Sequence, residues 1–99
     1  QVLLLDEPTV NLDLSHQSML LALVRRLARE RQIGVVVVTH EINLAAEFAD
    51  RIALLNNGAL RACGTAEEVL TEKLLSEVFN ASLVVDINPR SGHPRVTPI

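Results

Sequence analysis

The sequence predicts an α/β fold in which helices pack against a parallel sheet. The four consecutive apolar residues Val2–Leu5 show no polar alternation, which indicates a strand covered on both faces. A stretch with apolar residues at helical spacing follows, and a second apolar run, Val35–Val38, comes after it. A strand, a helix and a strand in this order predict a right-handed crossover between two parallel strands.

Two adjacent carboxylates, Asp6 and Glu7, follow the first strand directly. Side chains along a strand point to alternate faces, so the two carboxylates should hold different partners at the edge where α/β sheets bind ligands. Asp6 is suited to hold a hydrated Mg²⁺, which prefers carboxylate and phosphate oxygens. Glu7 is suited to orient or deprotonate a water that attacks phosphorus. The alternative is an apolar strand that simply leads into an acidic turn.

A histidine, His40, follows the second predicted strand. The carboxyl ends of successive parallel strands lie at one edge of a sheet, so Asp6, Glu7 and His40 should converge there. The alternative for His40 is a polar residue that caps the next helix.

The first helix is predicted to begin after Asp13, which is a good N-cap, and to end at Gln32–Gly34. Its charged residues between positions 25 and 30 are expected to lie in solvent. Its apolar residues recur at helical spacing: Leu20, Leu23, Val24 and Leu27. A second helix is predicted from Ile42 to about Ala49.

The second half of the chain predicts a β-hairpin, short helices and a loose end. Asn57 and Gly58 both tolerate positive φ and predict a tight turn between strands Ile52–Leu55 and Ala59–Ala62. The segment Thr65–Glu68 fits a capping box that opens a short helix through Leu70.

The last third is predicted to be less regular. Thr71 can cap one more helix, and Leu83–Val85 can form a strand. Asn88–Pro94 is predicted as a loop, and Thr97–Ile99 as a loose or edge-pairing terminus.

Composition narrows the class of protein. The chain has 99 residues, which permits one small domain or part of a larger one. Its net charge of −3 gives no basic footprint for nucleic acid, so no nucleic-acid partner is expected. The longest apolar run, Met19–Val24, is far shorter than the ~20 residues that cross a bilayer. A single cysteine, Cys63, excludes an internal disulfide and fits a reducing compartment.

Three motifs carry a resemblance to a known family. The segment Leu3–Thr9 (LLLDEPT), followed by Asn11–Asp13, resembles the Walker B motif and D-loop of ATP-binding cassette (ABC) ATPases. The segment Val35–Glu41 resembles the next core strand of that family with its switch histidine. No glycine-rich phosphate loop and no Leu-Ser-Gly-Gly signature occurs in the chain.

Residues 1–99 therefore resemble the C-terminal part of one ABC nucleotide-binding domain. The implied fold is a partial P-loop NTPase core with parallel strands and helices, plus a C-terminal β-hairpin and short helices. A chain that starts directly at a buried-type strand is expected to be a piece of such a domain.

The resemblance implies specific roles at the predicted site. In the family, two nucleotide-binding domains sandwich two ATP molecules head to tail. By position, Asp6 would bind Mg²⁺ through water, Glu7 would polarise the attacking water and His40 would contact the γ-phosphate. The D-loop that touches the partner subunit would comprise Asn11, Leu12 and Asp13. The family more often has a pair of small residues where Val10 and Asn11 stand.

The resemblance also implies a transport function. Asp13–Gln17 and the tail from Val78 to Pro94 resemble importers of iron–siderophore complexes, haem or cobalamin, with siderophore or haem preferred over cobalamin. The full-length protein would be an ATPase, and this chain alone would be inactive. Its partners would be a second identical subunit, membrane permease subunits and, indirectly, a periplasmic or lipoprotein substrate-binding protein. It would lie peripherally on the cytoplasmic face of the cell membrane.

Two alternatives remain open. One is another ABC ATPase, either an exporter or a soluble protein of DNA repair or translation. The other is a non-catalytic interaction module that naturally lacks the phosphate loop, against which the combination of Asp6, Glu7 and His40 argues.

Overall fold

A computed structural model describes residues 1–99, which form two compact units, Gln1–Leu44 (unit 1) and Ala45–Ile99 (unit 2). None of the helices combines the length and apolarity needed to cross a bilayer. The elements in chain order are β1 (Val2–Asp6), α1 (Leu14–Arg31), β2 (Gly34–Val38), α2 (Ile42–Phe48), β3 (Ile52–Asn56), β4 (Ala59–Gly64), α3 (Ala66–Val69), α4 (Glu72–Phe79), β5 (Leu83–Ile87) and β6 (Pro94–Pro98).

Unit 1 is built on a parallel pair of strands. Strands β1 and β2 pair in register from Val2 opposite Gly34 to Asp6 opposite Val38, and α1 connects them. The predicted α/β class with a parallel strand pair is therefore confirmed.

Helix α1 begins and ends as the sequence predicts. The Asp13 side chain accepts a hydrogen bond from the backbone N–H of His16 at 2.9 Å, which satisfies one free donor of the first turn. At the other end Gln32 adopts the left-handed conformation with φ 53°. The N–H of Ile33 then bonds the carbonyl of Ala28 at 3.1 Å and closes the helix. One expectation is wrong, because Arg25 is half-buried and its Nε is buried without a hydrogen-bond partner.

The first strand is not covered on both faces, so that prediction is wrong for this chain. Residues paired in register share a face, and on one face Val2, Leu4, Val36 and Val38 are 69%, 67%, 52% and 49% exposed. The reason is that unit 1 supplies a single long helix, and one helix covers one face of a two-stranded sheet. The apolar run is typical of a strand covered on both faces, but unit 1 contains no element that covers the second face.

Unit 2 contains the predicted hairpin. Strands β3 and β4 pair antiparallel with Asn56 opposite Ala59, so Asn57 and Gly58 form a two-residue turn. Their φ angles of 52° and 76° are those of a turn that matches the twist of a hairpin. Strand β4 continues beyond the predicted Ala62 to Gly64, and a β-bulge interrupts the register beside Leu54.

The short helices of unit 2 are fixed by their caps. Thr65 and Glu68 form the predicted capping box, in which Glu68 Oε1 accepts from the Thr65 N–H at 2.9 Å and Thr65 Oγ1 accepts from the Glu68 N–H at 3.3 Å. Thr71 caps α4 by accepting from the N–H of Leu74 at 3.3 Å. The buried apolar residues of unit 2 are Ala46, Ala66, Val69, Leu70, Leu75, Leu83 and Val96.

The C-terminal residues form a second hairpin. Strands β5 and β6 pair antiparallel from Leu83 opposite Pro98 to Ile87 opposite Pro94. The sequence predicts Pro94 in a loop, but this residue starts β6, which a residue without an N–H can do at a sheet edge. The edge pairing expected for the terminus is confirmed. Arg95 donates to the carboxylate of Asp86 from Nε at 3.0 Å and from Nη2 at 2.8 Å across the pair.

The left-handed end of α1 gives a stability prediction. Gln32→Gly should raise the free energy of unfolding by about 1 kcal/mol, because glycine adopts positive φ without the steric penalty of a Cβ. Asn80 has φ 50° at the end of α4, but asparagine tolerates that region. Asn80→Gly is therefore the control and should change less. Urea unfolding followed by circular dichroism measures both, and equal effects at the two positions would contradict the account.

The β5–β6 ion pair gives a pH prediction. The Arg95 guanidinium lowers the pKa of Asp86 from its ordinary 3.8, so the pair stabilises the fold above that pH and the contribution is lost as acidification protonates Asp86. Asp86→Asn should lower the melting temperature at pH 7 but not below about pH 2. Arg95→Gln should have the same effect, and the double variant should add nothing. Additive losses would show that the two side chains act independently.

Candidate functional site

The carboxyl ends of β1 and β2 lie at one edge of the sheet. Asp6, the last residue of β1, stands opposite Val38, the last residue of β2. One more backbone bond extends the ladder, because the N–H of Glu7 donates to the carbonyl of Val38 at 2.7 Å. The pairing thus brings the residues after both strands to the same place, as the sequence predicts.

Glu7 leaves the strand in an unusual backbone conformation. Its φ is 50°, in the left-handed region that costs a residue with a Cβ roughly 1–2 kcal/mol. The turn ends the alternation of side chains along β1. Such strained residues cluster at functional sites, where the surrounding structure holds them in place.

Glu7 and His40 are in contact. Nε2 of His40 lies 3.3 Å from Oε1 of Glu7, and the contact is an ion pair when the imidazole is protonated. The His40 side chain is 96% exposed and that of Glu7 27% exposed, so the ring stands in solvent while the carboxylate is partly sheltered. A bound ligand could therefore reach the imidazole without rearrangement of the backbone.

A side chain next to His40 holds the turn before α2. Thr39 Oγ1 accepts from the N–H of Glu41 at 3.0 Å. The His40 ring contacts Glu7, which favours a role at the sheet edge over the capping interpretation.

Asp6 stands apart from these two residues. It is exposed, and its carboxylate takes part in none of the hydrogen bonds or ion pairs of the structure. No group of three or more histidine, cysteine, aspartate or glutamate side chains lies close enough to hold a metal ion. The predicted convergence thus holds for Glu7 with His40, while Asp6 shares only the sheet edge.

Two consecutive turns connect Glu7 to helix α1. The Val10 N–H donates to the Glu7 carbonyl at 3.3 Å, and the Leu12 N–H donates to the Thr9 carbonyl at 3.2 Å. Thr9 is 2% exposed, whereas Asn11, Leu12 and Asp13 are exposed. The predicted D-loop residues are therefore exposed to solvent, while the loop is held to the protein by the buried Thr9.

Asp13 ends this loop, and one oxygen of its carboxylate accepts several hydrogen bonds from the start of α1. Oδ1 accepts from the His16 N–H at 2.9 Å and from Ser15 Oγ at 3.2 Å, and it lies 2.7 Å from His16 Nδ1. These bonds, led by the one from the His16 backbone, lower the pKa of Asp13. Asp13 is thus both the helix cap and the last residue of the loop.

Two residues of this network, His16 and Gln17, are not among the site residues that the sequence predicts. His16 is exposed, and its ring contacts Asp13. Its position three residues after the N-cap was the available signal, because that is where a cap meets the first turn. Gln17, whose side-chain Nε2 donates to the Thr9 carbonyl at 3.4 Å, carries no sequence signal of this kind.

The sequence of the chain is similar to those of known proteins. No family model matches the chain. It is 41% identical over 99 residues to the hemin import ATP-binding protein HmuV of Thermobifida fusca. It is 48% identical over 97 residues to HmuV of Streptomyces coelicolor and 47% identical over 96 residues to HmuV of Pseudomonas aeruginosa. The chain spans 34%, 34% and 37% of the length of these relatives.

The fold has matches among solved structures. An inward-facing metal-chelate type ABC transporter matches 99% of the chain with a TM-score of 0.86 at 30% identity, and the chain covers 40% of it. The archaeal ribosome recycling factor aABCE1, in complex with stalk protein aP1, matches 98% of the chain with a TM-score of 0.69 at 21% identity, and the chain covers 19% of it. The second likeness shows the fold alone.

In sequence and in fold, the chain therefore matches a segment of ABC transporter ATPases. The predicted resemblance to ATPases of the importer type is confirmed by the HmuV relatives and by the metal-chelate type transporter.

The strained backbone of Glu7 gives a prediction. Glu7→Gly should raise the free energy of unfolding by about 1 kcal/mol, because glycine adopts φ 50° freely and the lost contact with the exposed His40 is worth little. Glu7→Gln retains the Cβ and should leave stability within about 0.5 kcal/mol. Urea unfolding of both variants measures this, and an equal loss of stability in the two would show that Glu7 is not strained.

Proposed function

We propose that residues 1–99 are the C-terminal part of one ABC nucleotide-binding domain, and that the whole protein is the ATP-hydrolysing subunit of an importer of haem or an iron–siderophore complex. The observation that carries the proposal is the contact of Glu7 with His40 at the carboxyl edge of a parallel strand pair, at 3.3 Å. The haem preference is supported by identities of 41% to 48% with hemin import ATP-binding proteins.

Each residue at the edge has a role that fits its surroundings. Asp6 offers a free, exposed carboxylate, which suits Mg²⁺, an ion that keeps several waters and takes one or two carboxylates plus phosphate oxygens. When bound, Mg²⁺ would neutralise charge on the phosphates. Glu7, partly sheltered, would orient the attacking water and accept its proton. The exposed His40 ring would hydrogen-bond the γ-phosphate.

The chain alone should lack activity. Phosphoryl transfer depends on positioning and on charge stabilisation of the β- and γ-phosphates, which the phosphate loop supplies through its amides and lysine. The chain has no such loop, and the side chains at its sheet edge are two carboxylates and one histidine. We therefore expect the isolated chain neither to bind ATP tightly nor to hydrolyse it.

The partners of the whole protein follow from the same proposal. The exposed Asn11, Leu12 and Asp13 would contact a second nucleotide-binding subunit in a homodimer. Permease subunits would bind the protein at the cytoplasmic face of the membrane, where it would be peripheral, and a substrate-binding protein would act through them. The net charge of −3 argues against a nucleic-acid partner.

A chimaeric ATPase tests the proposal. Residues 1–99 replace the matching segment of HmuV from Pseudomonas aeruginosa, and steady-state hydrolysis of Mg-ATP is measured. The chimaera should hydrolyse ATP, and Glu7→Gln should lower kcat by about 10²-fold or more, as expected for loss of a general base.

Glu41→Gln is the matched control, because Glu41 is an exposed carboxylate beside His40 that the proposal gives no role. It should leave kcat within about twofold, as most surface substitutions do. A soluble, nucleotide-binding chimaera without Glu7-dependent hydrolysis would favour the non-catalytic interaction module instead.

A further inference from the structure

The backbone carbonyl of Thr9 accepts two hydrogen bonds. One comes from the N–H of Leu12 at 3.2 Å within the loop. The other comes from Nε2 of Gln17 at 3.4 Å, in the first turns of α1. Thr9 is 2% exposed and Gln17 is half-buried, so both lone pairs of this carbonyl are satisfied away from bulk solvent.

The Thr9 carbonyl lies at the middle of the loop that connects the carboxyl end of β1 to helix α1. On one side, Val10 donates to the carbonyl of Glu7 and continues the turn that begins there. On the other side, Leu12 leads to Asp13, which the first turn of α1 already holds. The Gln17 amide is thus the side-chain bond that attaches the centre of the loop to the helix, independently of the cap at its end.

We infer that Gln17 is a positioning residue for the candidate site: its side-chain amide holds Thr9 and thereby fixes the loop that carries Glu7 at its start and Asn11–Asp13 at its exposed end. The inference rests on the proposed function for what the loop is positioned to do. Its structural content, a loop whose centre is held by one side-chain donor, can be tested without nucleotide.

The chemistry of glutamine suits this position. The side chain must be long enough to reach back from α1 and must donate to a carbonyl without bringing a charge that repels it. Gln17→Met keeps the length but loses the donor. Gln17→Glu keeps the shape but places a carboxylate, which only accepts, beside the Thr9 carbonyl. Gln17→Lys retains a donor on a flexible chain of sufficient length.

Nuclear magnetic resonance of the 99-residue chain tests the inference. In Gln17→Met, exchange of the Leu12 amide should speed up by about tenfold, because its acceptor carbonyl is no longer held. The ring nitrogen signals of His40 should also shift, since Glu7 is no longer fixed beside it. The amide signals of α1 beyond its second turn should stay unchanged. Gln17→Lys should restore slow exchange, and the exposed Ser18→Ala is the control with no expected effect.

Each outcome decides the question. Faster Leu12 exchange with a shifted His40 ring supports a positioning role. Changes confined to the amides of α1 would show that Gln17 only stabilises the helix. Unchanged spectra would show that the bond from Gln17 to Thr9 does not fix the loop. Either result overturns the inference. If Gln17→Met does not fold, Gln17→Glu gives the same comparison. Because no ATP is used, failure of the proposed function would appear only in the chimaera.

Discussion

The parallel pairing of β1 with β2 is the constraint on which the candidate site depends. Its register places Asp6 opposite Val38, and the Glu7 N–H closes the ladder on the Val38 carbonyl. A shift by one residue would turn every side chain of β1 to the other face and separate Glu7 from His40. The site is therefore a consequence of strand register, and its side chains add little stability of their own.

The loop after β1 connects this sheet edge to the first turn of α1. It starts with a strained, partly sheltered Glu7 and ends with Asp13, whose Oδ1 caps α1. Between them the buried Thr9 anchors the loop through Gln17. Helix α1 is therefore bonded to the loop at its end through Asp13 and at its middle through Gln17.

Local rules explain how much of this was predictable from the sequence. The Asn57–Gly58 turn, the Thr65–Glu68 capping box and the Asp13 cap depend on neighbours in the chain, and all three are found. The exposure of Val2 and Leu4 was not predictable, because it depends on which elements cover the sheet. The start of strand β6 was not predictable, because Pro94 lacks the N–H of an ordinary strand residue, and neither was the Gln17 bond, because it joins a helix to an irregular loop.

The most direct test of the central claim is a proton–proton nuclear Overhauser measurement between the Glu7 side-chain methylenes and the His40 ring in the 99-residue chain. The claim that strand register brings these residues together predicts cross-peaks between them, accompanied by cross-peaks between the facing residues of β1 and β2. Strand cross-peaks without any contact between Glu7 and His40 would contradict it, because the sheet would then be formed without assembling the site.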